Sequence, residues 1–217
     1  MLSHFIGSLM EFISYMLEIV STVKDDQCHY IDDLLLSLSG VDNFYYSYTT
    51  PKGNIKYPER VFAYEVYHQL RDIMQEKTEK YDDVYLNGEQ QKSSEVVDDL
   101  SKCTPDLILH RRIYDCKQED QLWLCEIKMK GNPDAMSDLM KFEKMEALNF
   151  QCYIFLYAGV LFSEMVDVIG ETKIQSNNGT FDKTICISSY NDGENIEIHC
   201  HSLKEIYDYY ARKKSMV

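Results

Sequence analysis

Proline and glycine are scarce in this chain, with four and nine in 217 residues, whereas tyrosine and phenylalanine are abundant, with 17 and nine. That composition is typical of a folded domain and argues against a disordered or low-complexity chain. The sequence also lacks a Gly-rich phosphate loop and a Gly-x-Ser-x-Gly turn. P-loop ATPases and serine hydrolases depend on these motifs, so neither class is expected.

Cysteine pairing and zinc spacing are absent as well. The seven cysteines include no Cys-x-x-Cys motif, and the six histidines show neither a His-x-x-x-His motif nor a spacing with cysteine suited to zinc. Cys125 and Cys152 lie inside apolar runs, where a reduced thiol packs as a small buried hydrophobe. An odd number of thiols without a pairing pattern predicts a reducing compartment, so we expect a cytoplasmic protein.

Basic residues are few relative to acidic ones: the chain has 22 Lys and Arg and 36 Asp and Glu, which gives a net charge of −14. Residues 1–50 carry seven acids and one lysine, residues 51–158 carry 20 acids and 15 bases, and residues 159–217 carry nine acids and six bases. No basic stripe runs along the sequence. Since duplex binding is driven largely by phosphate neutralisation, avid sequence-independent binding of duplex DNA by this chain alone is not expected.

The first 20 residues are rich in apolar side chains but contain no long uninterrupted hydrophobic run. Glu11 and Glu18 interrupt them, no positively charged segment precedes them, and no small-residue cleavage site follows. These absences argue against a signal peptide and a membrane span. The apolar residues recur at helical spacing, which predicts an amphipathic helix packed on the core or against a second copy of the chain.

The rest of the chain alternates helical and strand-like periodicity, which predicts an α/β fold. We predict helices at 31–38, 59–76, 135–149 and 203–212, a loop or short hairpin at 42–57, and strands at 84–86, 106–112, 121–129, 152–157, 184–189 and 195–200. Turns are expected at Asn87-Gly88 and at Asn191-Asp192-Gly193, the second closing a hairpin. One domain is expected, with a helical extension at 1–50, a core at 51–158, and a hairpin and helix at 159–217.

Charged residues interrupt two neighbouring apolar strands between residues 104 and 130. Asp106 opens the run Leu-Ile-Leu, and Glu126 and Lys128 close the run Leu-Trp-Leu-Cys. Side chains alternate along a strand, so Glu126 and Lys128 project from one face while Trp123 faces the core on the other. A turn between the strands can bring Asp106 beside them. A charged pair seldom ends so apolar a strand unless something binds it, so the set predicts a magnesium site with an ammonium group alongside.

Pro105-Asp106 on one strand and Glu126-Ile127-Lys128 on the next resemble the signature of the PD-(D/E)XK nuclease superfamily, which has the restriction-endonuclease-like fold. The resemblance covers residues 57–158 and implies a mixed central sheet with core elements in the order helix, three strands, helix, strand. The same letters recur without apolar strand flanks at Pro133-Asp134, Glu171-Thr172-Lys173 and Asp115-Cys116-Lys117. The assignment of the motif to Asp106, Glu126 and Lys128 therefore depends on the order and spacing of these residues and on the apolar strands beside them.

The resemblance also implies roles for these residues. Asp106 and Glu126 would hold magnesium or manganese, with the backbone carbonyl of Ile127 as a further ligand. Lys128 would orient or deprotonate the attacking water and offset the charge that develops on phosphorus. One metal ion or two remains open. Taken alone, Asp106 is better explained as a strand-start or turn residue after proline. A surface ion pair explains Glu126 with Lys128 poorly, because a charged pair rarely ends so apolar a strand.

Other residues have weaker support as parts of the site. Glu65 matches the helix glutamate of the superfamily, but a solvated carboxylate on the helix face explains it equally well. Glu59 on the same helix is the competing choice. Glu89 would approach from the first strand and Lys141 from the following helix, although both fit ordinary exposed positions. Two clusters could contact nucleic acid. One is a basic lip at His110, Arg111 and Arg112. The other is a set of aromatic side chains at Tyr45, Tyr46 and Tyr48 that could stack on bases, although such residues are more often loop anchors packed on a core.

These observations predict a magnesium-dependent nuclease, with DNA as the expected polymer. The resemblance suggests a prokaryotic protein of a mobile element or defence system, although its acidic charge departs from the basic Holliday-junction resolvases. A first alternative is a non-catalytic protein that keeps the fold. Its acidic surface and the apolar stripe at residues 1–20 would then bind a protein partner, which could be another subunit. A second alternative is an acidic mimic of nucleic acid, which would leave Lys128 unexplained.

Overall fold

The elements of the fold are taken from a computed structural model that describes residues 17–24, 26–44, 47–88, 104–111, 120–131, 135–172 and 179–216. The strands are β1 (Leu17–Ser21), β2 (Tyr48–Thr49), β3 (Ile55–Lys56), β4 (Val84–Gly88), β5 (Leu107–Arg111), β6 (Gln121–Met129), β7 (Cys152–Ala158), β8 (Thr184–Asn191) and β9 (Ile196–Ser202). The helices are α1 (Ile31–Ser39), α2 (Glu59–Glu76), α3 (Ala135–Lys144), α4 (Phe162–Gly170) and α5 (Leu203–Ser215), with 3-10 turns at Glu146–Leu148 and Phe181–Lys183.

Among the described residues, seven strands form one mixed sheet in the order β1-β9-β8-β7-β6-β5-β4, and β2 pairs with β3 as a separate ribbon. Strands β4, β5 and β6 pair antiparallel, whereas β6, β7 and β8 pair parallel. Strands β8 and β9 form an antiparallel hairpin, and β1 runs parallel to β9. The predicted α/β class is confirmed, and the sheet takes strands from each of the three predicted parts of the chain.

Helices cover both faces of the sheet, and strand β6 shows how the sequence builds the two cores. Trp123 and Ile127 are buried in a core with side chains of α1 and α2, as predicted for Trp123. Leu124 is buried on the other face, among side chains of α3, α4 and α5. Because successive side chains of a strand point to opposite faces, Glu126 and Lys128 lie on the Leu124 face.

The predicted N-terminal helix is wrong in the part that the structure describes. Leu17–Ser21 is strand β1, paired parallel with β9. Residues 1–16 lie outside the described residues. Ile19 and Val20 are β-branched and suit a strand, and the edge of β9 offers backbone hydrogen-bonding groups that a helix could not use.

Other boundaries also differ from the predictions. The expected turn at Asn87-Gly88 is wrong, because both residues pair with β5 as the end of β4. The predicted helix 135–149 ends earlier, at Lys144, and a 3-10 turn follows. Helix α4 is absent from the predictions, since nine residues are too few to show a clear helical period. The short hairpin expected within 42–57 and the hairpin of β8 and β9 are confirmed.

The described cysteines are packed inside the protein. Cys28, Cys125, Cys152, Cys186 and Cys200 are free and buried, which confirms the burial predicted for Cys125 and Cys152. Burial raises the pKa of the Cys125 thiol well above its usual value, which favours its protonated form. Within the described ranges, no helix is both long and apolar enough to cross a membrane.

Candidate functional site

The Pro105-Asp106 dipeptide ends the pairing between β5 and β6. Leu107 pairs with Cys125, and the next antiparallel pair would join Pro105 to Ile127. Proline has no N–H to donate, so the ladder cannot continue through it. The Asp106 side chain bonds to Ile127 instead, and Oδ2 of Asp106 accepts the Ile127 N–H at 2.7 Å. The proline thus explains why a carboxylate lies against the backbone of the Glu-x-Lys motif.

Glu126 is the most deeply buried carboxylate of this region. The residue is 2% exposed, and its Oε2 accepts a hydrogen bond from Nζ of Lys141 at 2.8 Å. The Lys141 side chain belongs to α3 and is 33% exposed, so it reaches from solvent to the buried carboxylate. A buried carboxylate is costly unless it is paired, and Lys141 supplies an opposite charge.

Lys128 pairs with a carboxylate from α2. Its Nζ lies 3.2 Å from Oε1 and 3.3 Å from Oε2 of Glu59. Glu59 is the first residue of α2, directly after Pro58, so the start of this helix lies beside the end of β6. Glu65 is half-buried on the same helix, about 120° around the axis from Glu59. The structure therefore brings Glu59 to Lys128, and a role for Glu65 stays a prediction.

Charges of both signs meet around Asp106. Burial raises the pKa of Asp106 from 3.8 to about 6, and the negative charge of Glu59 adds to this effect. The hydrogen bond from the Ile127 N–H and the positive charges of Lys128 and Lys141 act in the opposite direction without outweighing burial. An acid in this state gains from any cation that binds its ionised form.

Oxygen donors suited to magnesium lie at the start of β5 and on the neighbouring strand β6. In an antiparallel ladder, the N–H and C=O of one residue point to the same neighbour, so the Ile127 carbonyl faces the side from which Asp106 approaches. Carboxylate and carbonyl oxygens together with water are the ligands that Mg²⁺ prefers. No group of three His, Cys, Asp or Glu side chains in the described part of the chain is arranged to hold a metal. An ion at this site would thus be held by Asp106, Glu126, the Ile127 carbonyl and water. On binding, it would replace Lys141 as the partner of the Glu126 carboxylate.

The described residues of the predicted basic lip, His110 and Arg111, are not part of this site. His110 and Arg111 end β5, so Arg111 lies about 16 Å along the strand from Asp106. The His110 Nδ1 is 2.7 Å from the Arg111 carbonyl oxygen, and its ring stacks on Tyr85 with centroids 6.0 Å apart. Four further candidates lie outside the described residues: Glu89, Arg112, Tyr45 and Tyr46.

None of the compared protein-family models, curated proteins or solved structures matches this chain. The candidate site consists of Asp106, which lies at the start of β5 and accepts the backbone N–H of Ile127, and of the charged side chains of β6 on either side of Ile127.

Proposed function

We propose that this protein is a magnesium-dependent phosphodiesterase of the PD-(D/E)XK type that acts on nucleic acid, with DNA as the expected polymer. The observation that carries the proposal is the 2.7 Å hydrogen bond between the Ile127 N–H and Asp106 Oδ2. This bond fixes a carboxylate from β5 beside the backbone that joins Glu126 to Lys128. The two short motifs therefore meet at one point of the sheet.

The fold around the site supports the same proposal. Elements α2, β4, β5, β6, α3 and β7 follow one another in the order helix, three strands, helix, strand that the resemblance implies. The three strands pair antiparallel, and the α3 crossover then makes β7 parallel to β6. We infer a restriction-endonuclease-like core that β8, β9 and β1 extend beyond β7.

Each side chain of the site has a part in this chemistry. A bound magnesium ion would supply a Lewis acid that polarises the phosphate and lowers the pKa of water. Asp106, Glu126 and the Ile127 carbonyl would provide its oxygen ligands. The Lys128 ammonium, with its side chain 12% exposed, orients the attacking water and offsets the negative charge that develops on phosphorus. Glu59 holds Lys128 in position.

Metal binding is the direct test of this proposal. Millimolar magnesium or manganese should raise the melting temperature, because a ligand at ten times its Kd adds about 1.4 kcal/mol to the stability of the folded state. Glu126→Gln should abolish this increment. Glu164→Gln should keep it, because that residue forms an exposed ion pair with Lys130. An unchanged wild-type melting temperature in millimolar metal would contradict the proposal.

Cleavage of labelled single-stranded, duplex and branched DNA in manganese tests the reaction. We expect Lys128→Ala to lower the rate by about 100-fold or more, since one group that stabilises developing charge contributes that much. The metal-induced rise in melting temperature should persist in this variant, because Lys128 is not a metal ligand. Equal cleavage by the wild type and Lys128→Ala would assign the activity to a contaminant.

A second candidate function is a non-catalytic protein that retains this fold and binds a protein partner. Two ion pairs favour it, Lys141 with Glu126 and Lys128 with Glu59, because they balance much of the charge of the site without a metal ion. The net charge of −14 would then attract a basic partner. The metal titration separates the two candidates, since this one predicts no stabilisation.

A further inference from the structure

The ribbon of β2 and β3 stands in solvent on both faces. All four of its strand residues are exposed, and Tyr48 and Ile55 are each 57% exposed. A two-stranded ribbon is marginally stable by itself in water, so this one depends on the residues that anchor it. We propose, on the basis of the nuclease function above, that the ribbon binds a single-stranded segment of the nucleic acid substrate.

The ribbon is anchored beside the candidate site. Phe44, which precedes it, packs against Tyr57, which follows it, with ring centroids 5.5 Å apart. Phe44 also contacts Tyr190 of β8 at 5.5 Å, which ties the base of the ribbon to the main sheet. Lys56 is three residues before Glu59, so their Cα atoms are at most about 11 Å apart. A strand bound on the ribbon would therefore pass close to the site.

The ribbon is aromatic and cationic within an acidic chain. Residues 43–58 contain Lys52 and Lys56 but no acid, whereas the whole chain has a net charge of −14. Tyr48 and Lys56 are directly paired across the two strands, so their side chains lie side by side on one face. This face offers a ring on which a base can stack and an ammonium group for a neighbouring phosphate.

The chemistry of this surface selects a single strand over a duplex. Bases in a duplex stack on one another, whereas unpaired bases expose faces that can stack on an aromatic side chain. Duplex affinity depends mainly on phosphate neutralisation, which an acidic chain supplies poorly. Stacking on Tyr48 does not depend on net charge. An acidic nuclease can therefore engage its substrate through unpaired nucleotides.

Fluorescence anisotropy with a labelled oligodeoxythymidine and with a duplex of equal length, under chelation of metal, tests the ribbon. Tyr48→Ala should weaken binding of the single strand by about tenfold, because stacking of one base on an aromatic side chain is worth that much. Tyr48→Phe keeps the ring and should bind like the wild type. The duplex should bind more weakly than the single strand and should respond little to either change.

A pair of double variants tests the charge of the ribbon. Lys52→Ala with Lys56→Ala should reduce the slope of log affinity against log salt by about 1.4, for two lost contacts to a single strand. The matched control removes the exposed Lys204 and Lys214 of α5, has the same net charge, and should bind like the wild type. Equal losses in both double variants would overturn the proposal, as would a wild type that binds neither oligonucleotide.

The ribbon and the metal site can fail separately in these tests. Tyr48→Ala changes no proposed metal ligand, so its melting temperature should rise with magnesium as that of the wild type does. If metal stabilises the protein and Tyr48→Ala binds the single strand normally, the ribbon proposal is overturned and the nuclease proposal stands. If metal gives no stabilisation but Tyr48→Ala loses binding, the ribbon binds nucleic acid in a protein that is not the proposed nuclease.

Discussion

Asp106→Asn should stabilise the protein at and above neutral pH in the absence of metal. Burial raises the pKa of Asp106 from 3.8 to about 6, so folding disfavours its ionised form. Between about pH 4 and pH 6, the folded state binds more protons at this position than the unfolded state, and the stability of the wild type falls as the pH rises. Above about pH 6 the wild type has lost this whole contribution to its free energy of unfolding. Asparagine avoids the loss because it is uncharged in both the folded and the unfolded state.

The expected gain follows from the two pKa values of Asp106. The difference between 3.8 and about 6, at about 1.4 kcal/mol per pKa unit, corresponds to about 3 kcal/mol. The amide oxygen that the substitution introduces can still accept the Ile127 N–H, now bound by Asp106 at 2.7 Å. A neutral acceptor makes a weaker bond than a carboxylate, so we expect a net gain of about 2 kcal/mol at pH 8 and little difference at pH 4.

Urea unfolding with EDTA, followed by fluorescence of the single tryptophan, Trp123, measures this effect between about pH 4 and pH 8. Asp182→Asn makes the same charge change at an exposed position and should stay within about 0.5 kcal/mol of the wild type. Magnesium should reverse the order, because the wild type gains the stabilisation of a bound ion and Asp106→Asn does not. A variant less stable than the wild type at pH 8 without metal would refute the reasoning.

Two further predictions concern ion pairs. Lys141→Met removes the ammonium 2.8 Å from the buried Glu126 carboxylate and should cost about 3 kcal/mol without metal. Magnesium should then raise the melting temperature of this variant more than that of the wild type. An equal or smaller rise would contradict the inference that Lys141 and the metal ion compete for the Glu126 carboxylate. Burial acts to raise the pKa of Asp33, but hydrogen bonds from two lysines at 2.6 and 2.7 Å and from Tyr81 at 2.7 Å hold it below its usual value. Asp33→Asn should therefore cost about 2 kcal/mol at pH 7 and progressively less as the pH falls below about 4, and an unchanged urea midpoint at pH 7 would contradict this.

The motif can be found from the sequence because its residues interrupt apolar strands. Asp106 precedes β5, and Glu126 lies within β6, where almost every neighbour is buried. A spacing of two places Lys128 on the face of Glu126, and the missing N–H of Pro105 is a property of the residue itself. None of these inferences requires knowledge of how distant parts of the chain pack.

The partners of the motif cannot be read in the same way, because they come from helices. Periodicity shows which face of α2 is apolar, but it does not show that the helix begins beside β6. Glu59 and Glu65 are therefore equivalent in the sequence, and only the packing of α2 separates them. Lys141 resembles an ordinary exposed lysine, since its contact with Glu126 depends on how α3 crosses the sheet.

The N-terminal strand shows where periodicity itself is ambiguous. Leu17 and Val20 fit the end of a helical stripe, yet the segment that contains them also suits a short strand. The outcome depends on the edge of β9, whose residues lie more than 170 positions away in the chain. Local propensity is too weak to decide such a case against a row of available backbone hydrogen bonds.

The two lysines of the site differ in a way that assigns them different parts. The Lys128 side chain is 12% exposed and is held by Glu59, so it should remain in place when a cation binds. The Lys141 side chain is 33% exposed and approaches Glu126 from solvent, so it can withdraw by rotation about its own bonds while the backbone of α3 stays where it is. Without metal, Lys141 keeps the buried carboxylate paired, and with metal it can release that carboxylate. In the proposed reaction, Lys128 is the ammonium group that remains beside the phosphate. Lys128→Ala should therefore lower the cleavage rate by about 100-fold or more, while Lys141→Met should chiefly change metal affinity.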